Sequence, residues 1–202
     1  MKNRIFLLCL IVCANLVFAS VKPSVMLEQL SDSLLQQLSL EKNLSENHGK
    51  VYSIIQQVLI PKIDKEYMSM SVVGPKYWNQ ATSGQQQDFV HEFETMVTNN
   101  YARLFANYSG QKVVFMPYRG DYSKKEKIEI KSQVLTDSGK NNFRVYYKLM
   151  KDKNGDWLIY DFSIDGISMV ESYRSQFSPI LAEKGLPGLI SNMKNFNSKS
   201  VN

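Results

Sequence analysis

Cysteine is almost missing from this chain. Cys9 and Cys13 are the only two in 202 residues, and both lie in an N-terminal apolar run. Once that run is removed, no disulfide, thiol nucleophile or redox pair is available. Histidine is as scarce: His48 and His91 fall on different predicted helices, too few and too scattered for a zinc site. His91, between Phe89 and Phe93, reads as solvent-facing. There is no glycine-rich phosphate loop and no dinucleotide fingerprint. The nearest approach to a nucleophile elbow, Gly166-Ile167-Ser168-Met169-Val170, lacks its second glycine. Beyond the N-terminus no apolar stretch reaches the roughly 20 residues that a bilayer core needs, so the remainder is expected to be soluble.

The N-terminal run is itself informative. Lys2 and Arg4 precede an apolar segment from Ile5 to Val17, and Val17-Phe18-Ala19 offers small residues at a cleavage site. This is the pattern of a secretory signal cut after Ala19. Neither cysteine follows a small residue, which argues against a lipoprotein signal. Residues 1–19 are therefore expected to be a cleaved signal peptide and residues 20–202 a single domain, long enough to bury a sizeable core. The full chain carries 24 basic and 19 acidic residues; without Lys2 and Arg4 the balance is 22 to 19, or +3. Export argues against a nucleic-acid partner. The mild basic excess leaves open a weak attraction for anionic headgroups or an acidic protein.

The first half has helical period. Leu27, Leu30, Leu34 and Leu38 follow Pro23, and Val51, Ile54, Ile55, Val58 and Leu59 make a second stripe ended by Pro61. A short third helix is expected from Ile63 to Met70, broken by Gly74-Pro75. Thr82 and Gln85 form a capping box before Phe89, Phe93, Met96 and Val97, and the helix is expected to bend at Asn99-Asn100 before Tyr101, Leu104, Phe105 and Tyr108. The second half switches to period two. Lys112 to Tyr118, Ile128 to Val134, Phe143 to Leu149 and Trp157 to Ile164 read as four strands, with turns at Gly120-Asp121, Asp137-Ser138-Gly139 and Lys153-Asn154-Gly155. Two helices then close the chain, split at Gly185-Leu186-Pro187, with a frayed polar tail from Asn197. The fold class is α+β: helices, a curved four-stranded antiparallel sheet, and C-terminal helices covering its apolar face to make a cone with an apolar pocket.

Asp161 and Asp165 are the carboxylates of the apolar C-terminal strand region. A buried aspartate in a cone could serve as a general base. The plainer reading is that Asp161 bonds backbone or a tyrosine and that Asp165-Gly166 is a turn. Lys124-Lys125-Glu126-Lys127 is a basic tip, read as a solvated hairpin end that could touch a membrane or protein.

The order of motifs carries a resemblance. Met68 to Gly74 is followed by Tyr77-Trp78, then Ala81-Thr82 with Gln85 to Phe89 and Phe93, then Tyr101-Ala102. Trp157-Leu158-Ile159-Tyr160-Asp161 runs into Ile164-Asp165-Gly166-Ile167-Ser168-Met169 and on to Tyr173-Arg174-Ser175-Gln176-Phe177. In this the chain resembles the MlaC-type periplasmic phospholipid-binding proteins, also called the toluene-tolerance or ABC-transporter auxiliary component family. It departs from them at Pro75, and at Asn79, where the family tends to carry a basic residue. The resemblance implies a periplasmic carrier with no enzymatic activity and no cofactor, holding a phospholipid as cargo. It implies partners at both membranes: an outer-membrane lipoprotein complex (MlaA-like) and an inner-membrane MCE-domain subunit (MlaD-like) of an ABC transporter. The outcome would be maintenance of outer-membrane lipid asymmetry. A monomer is the default expectation.

Physical chemistry permits such a carrier. Each acyl CH₂ removed from water contributes about 0.8 kcal/mol, so about 14 of them supply roughly 11 kcal/mol before ordering costs. No strong headgroup contact is then required. The candidate pocket lining is Tyr101, Phe105, Val114, Met116, Tyr147, Leu149, Ile159, Phe162, Ile164, Met169, Tyr173 and Phe177, all of which ordinary core packing could also explain. Arg174 is the candidate for a headgroup or partner contact, with an ordinary salt bridge as its alternative. Two rivals stand beside the carrier: a cone-fold isomerase or dehydratase using Asp161 or Asp165, and a carrier of lipoproteins or other proteins.

Overall fold

The computed structural model describes residues 22–136 and 142–200. The signal-peptide expectation and the Asp137-Ser138-Gly139 turn lie outside these residues.

Helix α1 (Pro23–Leu40) starts on proline, whose fixed φ suits a first turn, and buries Met26, Leu27, Leu34 and Leu38. Helix α2 (His48–Val58) is capped by the Asn47 side chain, which accepts from the Lys50 N–H at 3.2 Å. Helix α3 (Lys65–Val73) is capped by Asp64, which accepts from Tyr67 N–H at 2.9 Å. Gly74, at φ 82°, ends it in a conformation that favours glycine, and Pro75 opens the one-turn α4 (Pro75–Trp78). Helix α5 (Ser83–Phe105) carries the capping box in both directions between Thr82 and Gln85. The helix runs unbroken through Asn99-Asn100, where a bend is expected. Asn100 Nδ2 donates instead to Tyr173 Oη at 3.0 Å, so its amide serves a tertiary contact rather than competing for the helix backbone.

The sheet is an antiparallel meander in sequence order: β1 (Lys112–Phe115), β2 (Lys127–Leu135), β3 (Phe143–Lys151), β4 (Trp157–Ile164) and β5 (Ile167–Ser168). It has five strands rather than four. The fifth has two residues, too short to show a period, and exists because Asp165 (φ 47°) and Gly166 (φ 90°) fold β4 back on itself.

Register assigns the faces. Ile128, Ile130 and Ser132 on β2 sit opposite Leu149, Tyr147 and Val145 on β3. On β4 those residues meet Ile159, Phe162 and Ile164. Strict alternation could not place Ile159 and Phe162 on one face. A bulge opposite Lys148/Leu149 inserts the extra residue that does. The backbone of Ile63 forms a parallel bridge with Ile159.

The closing helix α6 (Met169–Ser200) is broken at Gly185 (φ 63°, ψ −173°), where the sequence places its stop. It runs on further than expected. Asn197 is not frayed but buried, its Nδ2 donating to Glu92 O (3.0 Å) and Oε2 (2.7 Å).

Candidate functional site

A domain of this size ordinarily has one contiguous apolar core. Here the buried side chains fall into three clusters. One joins α3, α5 and α6 around Phe89, Phe93 and Phe177. A second joins α1, α2 and the end of α5 around Leu38, Ile55 and Ala102. The third packs the start of α1 on the sheet, through Leu27, Ile130 and Leu149. The residues shared between clusters are only half-buried: Ile63 touches all three, Tyr101 the first two, Leu59 the last two. These shared residues make a seam of apolar and aromatic side chains between three better-packed regions. The inner face of the sheet continues past the clusters through Val134, Phe143 and Ile164, which are also half-buried.

Six of the twelve candidate lining residues lie along this seam or its continuation. Tyr101 and Phe162 meet edge to face at 5.1 Å. Tyr147 stacks at a tilt on Phe115 at 5.8 Å. Phe105 packs beside Tyr101 against the second cluster, and Ile164 follows Phe162 on the same face. Tyr173 packs on Phe93 at 5.2 Å and accepts from Asn100. The phenols are half-buried. Burial raises the pKa of Tyr101, with the charges of Tyr173 and Asp161 adding to the effect. Burial also raises Tyr147 and Tyr173, against weaker lowering by hydrogen bonds from Ser132 and Asn100.

Four others are fully buried within clusters: Leu149 and Ile159 beneath α1, Met169 and Phe177 between α5 and α6. Val114 and Met116 are a correction. They are 46% and 42% exposed, and Val114 pairs with Gln133 on the outer face of the sheet. Val113 and Phe115 take the inner face instead. The sequence could not decide this, because Val113-Val114-Phe115-Met116 is apolar at every position and has no parity. Among the described residues Arg174 pairs with no acid; its Nε donates to the carbonyl of Ser71 at 2.9 Å, and its Nη2 reaches the same oxygen. Leu59, in the second helical stripe, and Ile63, at the expected start of the third helix, join the seam without having been candidates for the lining, because periodicity marks an inward face but not which clusters a residue bridges.

Asp161 is 3% exposed and fully engaged. Lys148 Nζ (3.0 Å) and Ser168 Oγ (2.7 Å) donate to its Oδ2, and the Val170 N–H donates to Oδ1 (3.1 Å). Its carboxylate thus caps the start of α6 and fastens it to β4. The hydrogen bond to Asp161 also raises the Lys148 pKa, against partial desolvation. Asp165 holds the β4–β5 turn and accepts from Arg144 N–H at 2.9 Å. Both aspartates take the plainer of their two readings. Among the described residues no cluster of His, Cys, Asp or Glu is arranged to hold a metal.

Two surface clefts lie elsewhere. One, of about 570 Å³, runs between α3 and α5 and is lined by Asp64, Lys65, Tyr67, Trp78, His91 and Glu94 among others. The other, of about 280 Å³, lies beside α1 at Met26, Leu30 and Trp157. Neither contains any of the candidate lining residues.

The chain is 24% identical over 198 residues to the intermembrane phospholipid transport system binding protein MlaC of Haemophilus influenzae, covering 97% of this chain and 92% of that one. It is 24% identical over 171 residues to the toluene tolerance protein ttg2D of Pseudomonas putida, covering 84% of this chain and 78% of the other. Its fold superposes on a phospholipid-binding protein from Ralstonia solanacearum, solved in complex with a phospholipid. The TM-score is 0.80 at 25% identity, over 91% of this chain and all of that one. The family model of the MlaC protein matches residues 28–195, the whole span from α1 through the break in α6 to its last turns, and the chain belongs to the MlaC family.

Proposed function

We propose that this protein binds a phospholipid and carries it between the two membranes of the cell envelope, without acting as an enzyme. The observation that carries this reading is the divided interior. Half-buried Tyr101, Phe105, Tyr147, Phe162 and Ile164 line a seam that a chain of CH₂ groups could part without breaking any of the three clusters. Parting the seam exchanges side-chain contacts for acyl contacts at little net cost, and each buried CH₂ adds about 0.8 kcal/mol. The phospholipid held by the Ralstonia protein of the same fold supports the same reading. The signal-like N-terminus fits cleavage after Ala19 and action in the periplasm. A lipoprotein complex at the outer membrane and an MCE-domain subunit at the inner membrane are the partners this reading requires.

Purification from a Gram-negative host, followed by extraction and lipid mass spectrometry, tests the proposal. About one phospholipid per chain is expected. A chain that emerges lipid-free and takes up none from vesicles would overturn it.

A further inference from the structure

The outer face of the sheet is chemically unlike the seam behind it. Register places Lys112, Lys127, Lys131, Arg144 and Lys148 on this face, against the acids Glu129 and Asp161. Five cations less two anions leave +3. The chain from residue 20 onward also sums to +3, from 22 basic and 19 acidic residues. One face of one sheet therefore carries a charge equal to the net charge of the mature protein. The other charged residues from position 20 onward cancel, 17 basic against 17 acidic, and one of those acids, Glu171 of α6, stands near Lys148. Lys112, Lys127 and Arg144 have no carboxylate within ion-pair distance among the described residues.

Between the cations stand tyrosines and exposed apolar side chains. The Lys127 Nζ lies over the Tyr67 ring at 4.5 Å and the Tyr160 ring at 5.3 Å, and Lys131 lies over Tyr146 at 5.1 Å. Val114 and Met116 are exposed among them. The Lys124-Lys125 tip leads directly into Lys127.

We propose that this face rests on the surface of an anionic phospholipid bilayer while the protein exchanges its cargo. The proposal takes its purpose from the carrier reading above, but its evidence is separate. Lysine is depleted at protein–protein interfaces, and here it supplies four of the five cations. Lysines interleaved with tyrosines and exposed apolar side chains match the headgroup layer of a membrane. The attraction is modest and reversible. Each cation near an anionic leaflet favours binding about fivefold, so a net +3 gives roughly a hundredfold preference over a neutral bilayer. Screening should remove most of that at high salt.

The test is co-sedimentation of the mature protein with phosphatidylcholine vesicles, with and without about a third phosphatidylglycerol, at low and high salt. Binding should favour the anionic vesicles by roughly a hundredfold at low salt and should collapse at high salt. The triple variant Lys112→Gln, Lys131→Gln, Arg144→Gln should lose most of that preference. A control triple of equal charge change, Lys42→Gln, Lys62→Gln, Lys199→Gln, should stay within about twofold of wild type. Melting curves confirm that both triples are folded. Equal losses in the two triples, or no preference for anionic vesicles at low salt, overturn the proposal and leave the face to an acidic protein. Lipid content is measured in parallel. A protein that holds phospholipid yet ignores vesicles refutes only the docking, and one that binds vesicles yet holds no phospholipid refutes only the carrier reading.

Discussion

Asp161 could serve as a base on sequence alone, and the fold surrounds it with three donors. Its two oxygens already serve an ammonium, a hydroxyl and a helix N–H. Asp161→Ala should cost about 3 kcal/mol in urea denaturation, through a lost cap and a lost charged hydrogen bond. Asp161→Asn should cost less, because an amide oxygen can still cap α6. A general base would behave differently, with full stability and lost turnover. The half-buried phenols make a second prediction. Tyr101, Tyr147 and Tyr173 have folded pKa values raised above the ordinary 10.0, and Lys148 is raised above 10.5. Below about pH 10 the folded and unfolded chains hold these protons alike, and the stabilisation is fully present. Above it the unfolded chain releases protons that the folded chain retains, so stability falls as pH rises. Melting temperature should drop steeply above pH 10, with the tyrosinate absorbance of these three phenols appearing only on unfolding.

At the scale of elements, the break in α6 has a specific cost. Gly185 occupies a backbone region essentially closed to other residues, and Gly185→Ala should destabilise by about 1–3 kcal/mol. A Cβ added at Gly188 would lie 2.3 Å from the Lys184 Cβ, so Gly188→Ala must also shift the backbone across the break. Both variants should lower the melting temperature. Leu186, Leu189, Ile190 and Met193 reach the first cluster only from beyond the break. The bulge in β4 works similarly on the sheet. It allows Ile159 to pack beneath α1 while Phe162 and Ile164 turn towards the seam, and it leaves Asp161 to meet Lys148 and α6.

Across the whole molecule, packing and cargo should separate experimentally. Phe89 is fully buried, and Phe89→Ala should cost about 3–5 kcal/mol. Phe162 is half-buried on the seam, so Phe162→Ala should cost distinctly less while lowering the phospholipid recovered per chain. Calorimetry and lipid mass spectrometry on the same preparations check both. Equal stability losses, or unchanged lipid in the Phe162 variant, would argue that the seam is ordinary core.

The sequence by itself determined the elements and their order. Leu27, Leu34 and Leu38 on α1, the Thr82–Gln85 box and the alternation of Ile128, Ile130 and Ser132 are local signals, set by the 3.6- and 2-residue periods and by caps within one turn. The MlaC resemblance was legible for the same reason, since its motifs are short continuous runs. Six of the twelve candidate lining residues fall along the seam because large apolar residues at alternating positions must face inward somewhere. Tertiary structure alone decided the rest: the inner parity of Val113 and Phe115, the bulge after Ile159, the burial of Asn197, the tie of Arg174 to Ser71, and the partition of the core into three clusters. Each depends on which residue arrives opposite which, across 10 to more than 100 positions of chain. No local period encodes such meetings, because they are settled by strand register and helix docking together.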